Sequence, residues 1–228
     1  MKKYLLAILV ASLVIGGAAF VWASIIGSPH DLAPEPCAMC HTPHSGTGDY
    51  PLWNRTQVAQ TWTTYESISF DMAPADNPPR TPSSLCLVCH DGVASQLVNY
   101  PGPCSNPDAA YDITVAGCAN LGTDLTNDHP ISFNYNDMLD NDGNYFPPAT
   151  AIRTTPTNRY AIVGAYSGTN YWLYQDPASP SSGYGFECAT CHSVHDLATY
   201  QGKGSDQVYF LRNDNSGSLM CLDCHTAR

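Results

Sequence analysis

Residues 37–44 read CAMCHTPH, and residues 188–195 read CATCHSVH. Two related stretches stand further along each half of the chain: CLVCH (Cys86, Cys89, His90) and CLDCH (Cys221, Cys224, His225). Eight of the 10 cysteines therefore fall in four CxxC pairs, Cys37/Cys40, Cys86/Cys89, Cys188/Cys191 and Cys221/Cys224, and a histidine follows every pair. C-x-x-C-H is the attachment signature of a c-type haem. The two thiols add to the porphyrin vinyl groups, and the adjacent imidazole (His41, His90, His192 or His225) reaches the iron as proximal ligand. Zinc held by thiolates from two pairs needs no histidine after the second cysteine. Redox or disulfide CxxC pairs need none either. Both alternatives leave four histidines unexplained, so the expected cofactors are four covalently bound c-type haems.

The remaining histidines match that number. The chain has 8 in all, and the four outside the motifs are His30, His44, His129 and His195, one per haem. If each fills a sixth position, every iron is bis-histidine, low-spin and of low potential, which suits passing electrons rather than binding small molecules. His44 follows His41 by three residues, and His195 follows His192 by three. A residue three further on shares a helical side one turn away, so it cannot swing round the porphyrin to the far face of its neighbour's iron. It can reach an adjacent haem. His129 lies in NDHPISF, where Pro130 drives it into extended backbone. His30 lies in SPHDL on an N-terminal arm, able to reach its own subunit or another. Met39, Met72, Met138 and Met220 are rival sixth ligands, with Met39 and Met220 poorly placed inside or against motifs.

Residues 1–23 carry Lys2 and Lys3, an apolar stretch from Tyr4 to about Trp22, and small residues around Ala23. This pattern is that of a secretory signal peptide cleaved after Ala23. An uncleaved membrane anchor is the competing reading. Either way the remainder leaves the cytoplasm, and cleavage leaves no membrane partner. Twenty Asp and Glu face 9 Lys and Arg, giving a net charge of −11, and two of those lysines lie in the leader. That balance argues against nucleic acid or anionic lipid as partner. Cys104 and Cys118 have no following histidine, and in an oxidising compartment they are expected to form a disulfide worth roughly 3 kcal/mol. Asn54-Arg55-Thr56 is a glycosylation sequon of low specificity.

The expected organisation is a single tetrahaem domain over residues 24–228. It comprises a haem pair at 30–100, a loop-rich middle at 101–184 and a second haem pair at 185–228. The expected fold class is a multihaem cytochrome c fold, mostly irregular, with short helices at the CxxCH motifs, a few short strands and a haem-dominated core. The middle is rich in Asn, Asp, Tyr, Pro, Gly and Thr, with apolar runs at Ile131–Tyr135 and Tyr160–Tyr166, which read as loops and short strands. So few residues per haem leave little apolar core without the porphyrins.

SPHDL, CAMCHTPH, CLVCHDG, NDHPISF, ECATCHSVH and FLRNDNSGSLMCLDCH together resemble the multihaem cytochromes with paired CxxCH motifs, from His30 to His225. Within that group the four-haem layout is similar to extracellular tetrahaem cytochromes of the OmcE type, which polymerise into filaments described as nanowires. The resemblance implies bis-histidine haems in stacked and T-shaped contacts, and subunit interfaces across which haems nearly touch. It also implies that one axial histidine comes from a neighbouring subunit, with His30 the candidate by position. The expected partners are then other copies of the chain and redox partner cytochromes, at an extracellular or cell-surface location.

The functional expectation is electron transfer rather than enzyme activity, with no catalytic residues. A soluble periplasmic shuttle is the alternative within that class. A reductase of small nitrogen oxyanions needs an open iron site, and four spare histidines for four irons argue against one. A membrane-anchored quinol oxidase subunit requires the leader to stay uncleaved.

Overall fold

The computed structural model describes residues 25, 28, 30, 36–44, 46, 50, 52–55, 59–68, 70, 75–92, 120–135, 149–153, 159–176, 183–195 and 210–226. The expected leader (1–23), Cys104 and Cys118 of the expected disulfide, Met72 and Met138 lie outside them. Among the described residues no helix is long and apolar enough to cross a membrane.

Each CxxCH motif begins on or within a helical turn. Cys37 sits in a 3₁₀ turn, Pro36–Met39. The second motif closes helix α1 (Thr81–His90), which has proline in its first turn. Proline is tolerated there because the first amides of a helix lack intrahelical acceptors. The helix stops at His90, where Asp91 N–H returns to the Leu87 carbonyl at 3.0 Å and Gly92 takes a φ of 74°. The third motif is a single turn, α2 (Cys188–Cys191). The fourth is α3 (Leu219–Cys224), entered through a 3₁₀ turn at Ser216–Ser218.

The middle of the chain forms a sheet. Five antiparallel strands, β1 (Phe133–Asn134), β2 (Ala149–Arg153), β3 (Arg159–Val163), β4 (Asn170–Gln175) and β5 (Tyr184–Phe186), lie in the order β1-β5-β4-β3-β2. The apolar runs at Ile131–Tyr135 and Tyr160–Tyr166 contribute to β1 and β3. The partners that make them strands are NYWLYQ and YGF, runs of six and three residues. Tyr171 and Leu173 alternate inward along β4 while Asn170, Trp172 and Tyr174 stay part-exposed, the period-2 pattern of a sheet with one packed face. Ile162 faces Tyr171 across the β3–β4 hairpin.

That face gathers Phe133, Tyr135, Ile162, Tyr171, Leu173 and Phe186 with Leu211 and Met220, and the motif cysteines Cys191 and Cys224 pack against it. A separate cluster of Trp62, Leu87 and Leu125 seats α1. The sheet is therefore the floor on which the third and fourth motifs rest. Ile162 is fully buried, and Ile162→Ala leaves a cavity there, with an expected loss of about 3 kcal/mol of unfolding free energy, read from denaturant midpoints.

Candidate haem-binding site

Two buried carboxylates hold the motifs to the sheet. Glu187, fully buried, immediately precedes Cys188. Its Oε2 accepts from Ser83 of α1 at 2.5 Å and from Ser132 at 2.9 Å, while Ser83 Oγ also receives the Cys188 N–H at 3.1 Å. Arg80, ion-paired with Asp76, lies close by, and a Cβ on Gly185 would meet both its guanidinium and the Glu187 carboxyl. One hydrogen-bonded node thus joins the second motif's helix to the start of the third. Burial pushes the Glu187 carboxyl up to about 7, against the opposing pull of Ser83, Ser132 and Arg80.

Asp223, inside the fourth motif, is the counterpart. It accepts the Tyr166 and Ser167 N–H groups, each at 2.9 Å, and the Tyr171 hydroxyl at 2.7 Å. The Ser167 hydroxyl completes the set. Burial acts to raise its carboxyl, but the hydrogen bonds from Ser167, Tyr171 and the two amides outweigh it and hold it below the ordinary value. A Cβ on Gly164 would lie 2.5 Å from this carboxylate, so the hairpin loop needs glycine to come this close.

These anchors draw the motifs together. The Cys86 and Cys188 thiols hydrogen-bond each other, and that shared bond raises Cys86 and lowers Cys188. Cys191 and Cys224 lie near enough to interact, and burial in the sheet's floor pushes their thiols up to about 11 and about 12. None of the eight motif cysteines is in a disulfide. Among the described residues no group of three or more His, Cys, Asp and Glu side chains is arranged to hold a metal ion, so the thiols form no ready-made tetrahedral site.

Imidazoles meet in pairs instead. The ring centroids of His30 and His90 are 6.1 Å apart, those of His41 and His195 5.9 Å, and those of His129 and His225 6.4 Å. Each pair joins one motif histidine to one non-motif histidine. Two imidazoles bound at ~2 Å to opposite sides of one metal place their centroids roughly 6 Å apart. The donor set and this spacing fit a c-type haem, with His90, His41 and His225 as proximal and His30, His195 and His129 as distal ligands.

The surroundings suit neutral, ligating imidazoles. Burial first, then His90 and His192, lower His30 to about 4. Burial and the neighbouring His41 lower His195. His129 Nδ1 lies 2.9 Å from the Pro130 carbonyl; donating there leaves Nε2 with its lone pair and fixes the orientation of the ring. His30 stacks on Phe210 at 4.8 Å and His129 on Phe186 at 5.2 Å. Sequence reasoning named these histidines but missed the two phenylalanines, which carry no motif signal.

His30, the candidate for reaching a neighbouring subunit, lies against His90 of its own chain. His44 and His192 are both exposed, and neither takes part in the three ring pairs above. Met39 and Met220 are buried, with Met220 in the sheet's core. Asn54 of the sequon donates its side-chain amide to the Ala38 carbonyl at 3.0 Å.

No protein-family model matches the chain, and no curated protein matches it.

Because Glu187 carries a raised value in the fold relative to 4.5 for the free side chain, its contribution to stability is present below about 4.5 and lost as pH rises through about 7. Denaturant midpoints should fall across that window, and Glu187→Gln should flatten the fall; an unchanged slope in the variant would remove Glu187 as its source.

Proposed function

We propose that this chain is an electron carrier holding four covalent c-type haems, each iron capped by two imidazoles. The observation that carries the reading is the set of three histidine pairs, distant in sequence, at 5.9–6.4 Å, each ending on the histidine of a CxxCH motif. When bound, the haem supplies a reversible one-electron iron couple. The motif cysteines would hold the porphyrin covalently, and the paired imidazoles would ligate its iron and so deny it an open site for substrate. With the second and third motifs joined through Ser83 and Glu187, porphyrins attached there would be neighbours, and electrons would pass between them through the protein.

The sharper form of the proposal is a subunit of an extracellular cytochrome filament, exported through the leader and exchanging electrons with further copies and with redox partner cytochromes. The motif resemblance supports it. A Cys104–Cys118 disulfide belongs to the same proposal, as a brace of the exported middle segment. The soluble periplasmic shuttle differs only in not polymerising, and a nitrogen-oxyanion reductase requires at least one iron lacking its second imidazole.

Intact mass of the exported protein should equal the chain from Ser24 plus four haems, and its ferric electron paramagnetic resonance should be low-spin throughout. A mass short of four haems sinks the carrier reading; a stoichiometric high-spin signal that moves on adding nitrite favours the reductase. Negative-stain microscopy should show filaments, and discrete particles at every concentration would leave the shuttle.

A further inference from the structure

The two halves of the chain carry their chemistry in the same order. His30, CAMCHTPH and CLVCH in the first half answer to His129, CATCHSVH and CLDCH in the second. The backbone repeats with the residues. In the first half Thr42 N–H donates to the Leu52 carbonyl at 2.8 Å and Asn54 N–H to the Cys40 carbonyl at 2.8 Å. In the second, Ser193 N–H donates to Phe210 at 2.7 Å and Arg212 N–H to Cys191 at 2.9 Å. His41 bridges Trp53 as His192 bridges Leu211.

The finer details match too. Leu52 and Phe210 hold the same uncommon left-handed backbone, φ 62° and 63°, which non-glycine residues adopt only where surroundings impose it. The Asn54 side chain donates to the Ala38 carbonyl at 3.0 Å, and the Arg212 side chain to Ala189 at 2.9 Å. Ala38 and Ala189 both follow the first cysteine of their motif. Such agreement between segments of unlike sequence, LWN and FLR, marks one structural module used twice.

The imidazole pairs obey the same repeat. His30 opposes His90 within the first half, and His129 opposes His225 within the second. The third pair crosses between halves, with His195 of the second module against His41 of the first. When two equivalent modules meet about a two-fold relation, a contact from one to the other is returned. On such a relation, the returned contact would join His44 of the first module to His192 of the second.

We propose that the chain is an internal duplication whose two CHxxH turns exchange ligands, so that His44 caps the haem held by Cys188, Cys191 and His192 of its own chain. The proposal rests on the haem reading above and names the ligand of its fourth iron. All eight histidines are then used in cis, and no iron needs an imidazole from a neighbouring copy. The exchange also couples the modules, because neither haem of the crossing pair is fully ligated until both turns have docked.

The test is His44→Met in the haem-loaded protein, studied as single subunits at high dilution. Intact mass should still show four haems, and exactly one should change from bis-histidine to histidine–methionine, read by near-infrared magnetic circular dichroism. His195→Met should convert one haem as well, and the double variant two. In a Cys188→Ala, Cys191→Ala background carrying three haems, His44→Met should convert none. In a Cys86→Ala, Cys89→Ala background it should still convert one. No conversion in the dilute four-haem protein overturns the proposal, as does conversion only after assembly, or conversion that survives loss of the third haem. A wild-type mass short of four haems instead overturns the haem reading beneath it.

Discussion

Imidazoles from distant parts of the sequence must face each other across roughly 6 Å, and most of the architecture serves that spacing. His195 reaches His41 over more than 150 residues of chain, and His129 reaches His225 over nearly a hundred. A side chain this short cannot choose its own position, so the backbone on both sides must be held. Partial desolvation of His30 and His195 where these pairs close lowers their basicity and favours the neutral ring with a free nitrogen lone pair.

The holding is done by buried polar groups rather than by a large apolar core. Glu187 ties α1 to α2 through Ser83 and joins both to the loop at Ser132. Asp223 ties α3 to the β3–β4 hairpin through four donors. A carboxylate in such a position accepts several directed bonds at once, so it fixes orientation as well as distance. Loss of either would leave buried donors unpaired, which costs more than the bond itself. The sheet beneath adds the apolar floor. Phe186 links floor and site, stacking on Phe133 and on His129.

How much of this was legible follows from what each signal depends on. The CxxCH motifs and the count of spare histidines are local facts, and they named every imidazole that the structure pairs. The parallel between CHTPH and CHSVH was also visible. Its extension to Leu52 and Phe210 was not, because the shared feature is a left-handed backbone and a pattern of carbonyl acceptors, neither of which constrains side-chain type. The sheet was hidden for a related reason: β1 and β5 are two and three residues long, too short for periodicity, and exist only because their neighbours are in place.

Sequence alone therefore named the candidates: the thiols and imidazoles of the proposed haem sites, and the acidic balance of the chain. Tertiary structure decided the pairing, setting His30 beside His90 in its own chain and His195 beside His41 across the halves. The physical reason is that ligand identity is a property of a side chain, whereas ligand pairing depends on where two stretches of backbone come to rest. Here that depends on Glu187, Asp223 and the strands they grip.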